Sequence, residues 1–206
     1  MRQTLHADQA ILDYLKQKDP VLGALIDRTG PLSVTLSDDY FGSLASAIVG
    51  QQLSNRVAEV LWDRLSGFCE GNVTPEKLAA AETEDLRALG LSYGKVSYLK
   101  ALAGHVLEGS LELPRFAGLD DEEIIRQLTA VKGIGPWTAE MFLIFSLGRE
   151  DVYSMGDGGL LRAVQTLYGL EGKGGKGDKA ALAEITGRWA PYRTFASLYL
   201  WRALDG

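Results

Sequence analysis

The stretch REDVYSMGDGGLLRAV (149–164) sets Asp157 between Gly156 and Gly158. Glycines on both sides remove side-chain bulk, so another molecule can approach the carboxylate closely. One reading of Asp157 is structural, as a turn or N-cap residue where the next helix begins. The other is catalytic. An ionised carboxylate stabilises positive charge that develops beside it, and can orient or activate an attacking water. Twenty positions earlier (157 − 137) stands Trp137, in VKGIGPWTAE (131–140). One helix carries the chain away from this stretch and a loop can bring it back, so the two residues are expected to share a cleft. RWAPYRTFASLYLWRAL (188–204) adds Trp189, Tyr192, Phe195, Tyr199 and Trp201. Most of these rings belong in a core. One or two facing a cleft could stack on a flat ring system.

The 131–140 stretch also explains its own glycines. DEEIIRQLTAV (121–131) carries Ile124, Ile125, Leu128 and Val131 at helical spacing, and PWTAEMFLIFSLG (136–148) reads as a mostly buried helix. Between them, Gly133 and Gly135 permit positive φ or close approach of another molecule, and Pro136 suits the first turn of a helix. The unit is helix, tight glycine turn, helix. Its free N–H groups lie at a positive helix end, which is a ready anion site, and a DNA phosphate is one candidate anion. A plain turn between helices, with glycines for geometry, is the alternative.

The period is helical almost everywhere. Residues 7–17, 39–52, 54–68, 83–89, 92–108, 120–131, 136–147, 157–168 and 191–204 place apolar residues at three- and four-residue spacing. PLSVT (31–35) suits a short extended piece, and no alternating strands appear that would build a sheet. The class is all-α. GLEGKGGKGD (169–178), with five glycines and one apolar residue, reads as a flexible loop. Ser37 or Asp38 is expected to cap the helix carrying FGSLASAIVGQQLS. Gly50, Gln51, Gln52 and Ser54 then interrupt the apolar face as a polar junction. In GLSYGKVSYLKALA (90–103), Lys95 either meets a phosphate or is solvated.

Composition bounds the partners. At 206 residues, 46% hydrophobic and 23% charged, the chain is of ordinary globular make-up and can bury one sizeable core, built as two lobes. The single Cys69 excludes an intrachain disulfide framework and a four-cysteine metal or iron–sulfur site. No apolar run spans a bilayer and the N-terminal MRQTLHADQAILDYLKQKD lacks a signal-peptide core, so no membrane role and a cytoplasmic location are expected. Net charge is −6 and pI about 5.0. Any nucleic-acid contact must then use a local site rather than a basic surface.

AIVGQQLSNRVA (47–58), GLSYGKVSYLKALA (90–103), LTAVKGIGPWTAEMFLIFSLGREDVY (128–153), GDGGLLRA (156–163) and WAPYRTFASLYLW (189–201) occur in one order over roughly residues 35–204. In this combination the chain resembles the helix–hairpin–helix DNA glycosylases, and within them the 3-methyladenine DNA glycosylase II group. The resemblance implies two helical lobes with a central cleft and no N-terminal β domain, since about 35 residues precede the shared region. It also implies a monomer that flips alkylated bases out of double-stranded DNA and cleaves the N-glycosidic bond. Asp157 matches the family's catalytic aspartate. Trp137 and Trp201 match aromatic positions of the base pocket, and Met141 falls where relatives carry another aromatic, which bears on the substrate range. Gln51 and Gln52 fall in the loop that fills the gap left by the flipped nucleotide, without a choice between them. Ser54, Lys95, Lys132, Gly133, Gly135 and Thr138 fall among DNA-contacting positions. The carbonyls of Thr129, Val131 and Gly133 match those that hold a monovalent cation, Na+ or K+, with no other cofactor required.

Two rival readings remain in the sequence. A bifunctional glycosylase/lyase needs a Schiff-base lysine. In the lyase pattern that lysine lies two residues past the second hairpin glycine, where this chain has Trp137; Lys132 lies in the turn itself. A non-catalytic helix–hairpin–helix DNA-binding module accounts for Gly133–Gly135 but not for Asp157 together with the aromatic C-terminus.

Overall fold

A computed structural model describes residues 3–170 and 176–204. The chain divides into two compact units, residues 37–142 and residues 1–36 with 143–206.

The discontinuous unit opens with strand β1 (Thr4–His6), then helices α1 (Gln9–Lys18) and α2 (Pro20–Thr29) and strand β2 (Ser33–Thr35). The strands pair antiparallel, with Leu5 opposite Val34. The extended piece expected near 31–35 is therefore β2. Its partner β1 has only three residues, too short for alternation to show in sequence. α2 begins with Pro20 at its first position, where a missing N–H costs nothing. Gly23 inside it would place a Cβ 3.2 Å from Lys16 Cα, so this glycine marks the close approach of α1 and α2.

Within the same unit, α10 (Gly158–Tyr168), α11 (Lys176–Gly187) and α12 (Arg193–Leu204) follow. Leu15, Leu22, Leu160, Val164, Trp189, Phe195, Tyr199 and Leu200 are buried together as the core. Of the loop expected at 169–178, Gly169 and Leu170 follow α10, and Lys176–Asp178 instead open α11. Residues 171–175 lie outside the described residues.

The continuous unit carries α3 (Tyr40–Gly50), α4 (Asn55–Phe68), α5 (Pro75–Ala80), α6 (Thr83–Ala88), α7 (Tyr93–Leu107), a 3-10 turn (Leu113–Gly118), α8 (Asp121–Ala130) and the start of α9 (Pro136–Phe145). α3 is capped by neither Ser37 nor Asp38. Asp39, directly before the helix, accepts from Gly42 N at 2.9 Å. Ser37 instead receives the Ser43 hydroxyl. α8 follows the expected grammar: Asp120 accepts from Glu123 N at 2.8 Å, and three acids fill its first turn. Phe142 meets both Tyr40 and Phe116 edge to face.

One buried carboxylate organises the discontinuous unit. Asp19, 1% exposed, caps α2 through Val21 N and Leu22 N. Its other oxygen takes the Tyr168 hydroxyl at 2.6 Å and the Trp189 indole N–H at 2.9 Å. Four donors thus converge on it, from α2, from the end of α10 and from the segment before α12. Burial, and then the carboxylate beside it, push the Tyr168 phenol above the usual phenol range. Asp19→Ala removes a cap and orphans two side-chain donors. In urea unfolding it is expected to cost at least about 3 kcal/mol, from about 1 for the cap and about 1–3 for each donor. A loss below about 1 kcal/mol would show that the shared carboxylate does not hold these elements together.

Candidate active site and nucleic-acid interface

The discontinuous unit presents Asp157. It is the N-cap of α10, and its Oδ1 accepts from Leu160 N at 2.7 Å. The capping role is therefore real. A second contact is not part of capping: the indole N–H of Trp201, on α12, lies 3.3 Å from the same Oδ1. Trp201 is half-buried and rests near Phe145, with ring centres 5.9 Å apart. Two donors from different helices thus fix the plane of a half-buried carboxylate.

The glycines around Asp157 have unequal work. At Gly156 a Cβ would meet nothing, and at Gly158 it would make an ordinary contact with Arg162. At Gly159 it would lie 3.0 Å from Asp157 Oδ1, 3.4 Å from Leu204 and 3.6 Å from Trp201. Gly159, rather than the flanking pair, is what lets Trp201 and Leu204 close on the carboxylate. Tyr153 also belongs to this surround. Burial, with Asp157 nearby, pushes its phenol above the usual range, and its ring lies against Trp189. Neither residue stood out in sequence. Gly159 lay in a run of glycines, and Tyr153 reads as one more apolar position.

The continuous unit presents the hairpin. α8 ends as Val131 turns extended, Gly133 takes φ 95, Ile134 is buried, and Pro136 starts α9. Gly133 is obligatory here twice over. Its φ is one that L side chains avoid, and a Cβ would fall 2.2 Å from the Tyr98 ring. Gly135 has no positive φ and faces open space, which leaves room for a ligand. Lys132 is exposed, its ammonium 6.0 Å from the Tyr98 ring centre. Trp137 is 47% exposed at the start of α9, a high value for tryptophan, and Met141, one turn on, is half-buried. Thr138, expected among the DNA contacts, is only 5% exposed.

The polar junction after α3 lies beside this hairpin. Gln51 Nε2 donates to Gly133 O at 2.7 Å. Gln52 is exposed at φ 59, and Leu53 N closes the turn onto Gly50 O at 3.1 Å. Ser54 is exposed and precedes α4 without a side-chain capping bond. Lys95 is half-buried, and its ammonium donates to Val49 O, at the end of α3, at 2.6 Å. Burial there pushes its pKa below the usual lysine value.

Among the described residues no three His, Cys, Asp or Glu converge where they could hold a metal ion. Main-chain oxygen is another matter. Thr129 sits in the last turn of α8, where carbonyls run out of helical donors. Val131 O takes Ile134 N and Gly133 O takes Gln51, and each carbonyl keeps a second lone pair. Carbonyl oxygens are the kind of donor a monovalent cation takes. Among the described residues no helix is long and apolar enough to cross a membrane.

Residues 45–191 match the family described as HhH-GPD superfamily base excision DNA repair protein. A Bacillus subtilis protein named putative DNA-3-methyladenine glycosylase is 30% identical over 96% of this chain and 69% of its own length. A Bacillus halodurans DNA-3-methyladenine glycosidase of known structure is 39% identical, with TM-score 0.86 over 98% of this chain and 92% of that one. A Schizosaccharomyces pombe 3-methyladenine DNA glycosylase, solved in complex with abasic DNA, is 29% identical, with TM-score 0.83 over 96% and 98%. With its hairpin, its downstream aspartate and these likenesses, the chain belongs to the HhH-GPD superfamily of base excision DNA repair proteins, in the 3-methyladenine glycosylase group.

Proposed function

We propose that the protein is a monofunctional, monomeric DNA glycosylase that hydrolyses the N-glycosidic bond of alkylated purines, 3-methyladenine and 7-methylguanine, flipped from double-stranded DNA. The observation that carries this reading is the Asp157 carboxylate, held by Leu160 N and the Trp201 indole at the N-terminus of α10.

A methyl group on N3 of adenine or N7 of guanine makes the base cationic and a good leaving group. Little acid catalysis is then required. What needs stabilising is positive charge on the sugar as the bond breaks. Asp157 supplies a fixed negative charge for it and a base for the attacking water. An aromatic face, that of Trp137 in one unit or that of Trp201 in the other, favours a cationic ring by about 0.5–2 kcal/mol per good contact, a preference that does not read each lesion closely. Met141, one turn past Trp137, carries no ring.

On the duplex, the Gly135 N–H and the start of α9 face a phosphate, with Lys132 beside them. The carbonyls of Thr129, Val131 and Gly133 would hold a monovalent cation, which supplies positive charge at the grip. Of the two glutamines, Gln52 is the one free at an exposed tip, and it enters the gap left by the flipped nucleotide; Gln51 is already engaged. This local grip is how a chain of net charge −6 holds DNA.

The test is chromatography of bases freed from methylated duplex DNA by the native protein. Free 3-methyladenine and 7-methylguanine, with the backbone left intact, are expected. DNA binding without release would favour a binding module, and strand cleavage at the abasic site would favour a lyase. Gly159→Ala gives a sharper check. Its Cβ would lie 3.0 Å from Asp157 Oδ1 and displace the carboxylate, which is expected to lower base release about tenfold in a protein that stays folded by circular dichroism. Unchanged release would mean the placement of Asp157 Oδ1 is not critical.

A further inference from the structure

Gln51 ends α3, yet its side chain makes its bond elsewhere. Its Nε2 reaches Gly133 O, 82 residues on, at 2.7 Å. That carbonyl cannot drift, because Gly133 is held at φ 95 with the Tyr98 ring filling the space where a Cβ would be. The next residue, Gln52, is exposed at φ 59, a conformation that non-glycine residues adopt at a cost. Something must hold the loop in that state. On one side Lys95 fixes Val49 O, at the end of α3. On the other side the Gln51 amide fixes the loop to the hairpin.

Resting on the reading above, in which Gln52 enters the duplex, we propose that Gln51 is a positioning residue. It locks the inserting loop to the hairpin, so that phosphate grip and insertion act as one rigid element. Opening a base stack resists the inserting residue. A short loop held only by its own turn would yield, and Gln52 would relax from its left-handed conformation. The Gln51–Gly133 bond passes the resisting force to the hairpin, which the phosphate contact anchors.

The experiment uses a duplex with 7-methylguanine on a 2′-fluoro sugar, which blocks base release, and a neighbouring 2-aminopurine whose fluorescence reports extrusion. Gln51→Ala should lower the extrusion equilibrium about threefold to tenfold, the scale of one net hydrogen bond, and leave affinity for undamaged duplex unchanged. Gln51→Glu keeps the size, removes the donor and should behave no better. In a Gln52→Ala background, Gln51→Ala should add nothing, because the two residues act through one step. Multiplying effects of the two substitutions, or an equal loss of affinity for undamaged DNA, would overturn the proposal in favour of simple support of the hairpin. Extrusion by Gln51→Ala equal to native would overturn it alone. A native protein that neither extrudes nor releases a base would overturn the functional reading and this proposal with it.

Discussion

One carboxylate oxygen, Oδ1 of Asp157, both starts α10 and receives the indole N–H of Trp201 on α12. The two roles reinforce each other. Capping fixes the main chain at 157, and the indole fixes the carboxylate plane. Both donors belong to helices whose inner faces are buried in the same core, through Leu160 and Val164 on α10 and Phe195 and Tyr199 on α12. The position of the charge is thus a property of the fold rather than of a loop. Gly159 is the concession that allows it, giving up helix propensity so that Trp201 and Leu204 can approach. Asp19 does comparable work deeper in the same unit.

The continuous unit faces a different problem: in the proposed function an acidic protein must grip a polyanion, and main-chain groups are what it offers. Gly133 turns where no side chain would fit, Gly135 faces open space, and the start of α9 supplies a favourable dipole. Side chains that looked like DNA contacts have internal work. Lys95 holds the end of α3, Gln51 holds the hairpin, and Thr138 is buried. Of the described residues expected to meet a duplex, Gln52, Ser54 and Lys132 are exposed.

Where the chain announces its turns with Gly and Pro, sequence and structure agree. The hairpin, the long helices and the Asp157 cap were all legible because their signals are local. α2 escaped because Pro20 and Gly23 look like breaks, whereas Pro20 opens the helix and Gly23 admits α1. α5, of six residues, is too short for a period to emerge, and the glycine-rich reading of 169–178 ran into the start of α11. The contacts that define the site span longer distances. Trp201 meets Asp157 across 44 residues, Lys95 meets Val49 across 46, and Gln51 meets Gly133 across 82. No spacing rule encodes such pairs; packing creates them.

The proposed chemistry depends above all on the charge at position 157. The most direct measurement is the single-turnover rate of 3-methyladenine release from methylated duplex by Asp157→Asn, with affinity for the same duplex measured alongside. Asn can keep the cap through its carbonyl oxygen but carries no charge. A rate loss of about a hundredfold or more at unchanged affinity is predicted, the scale of a lost transition-state electrostatic contact. Equal rates for the substituted and native proteins would contradict the account, leaving Asp157 as a cap and nothing more.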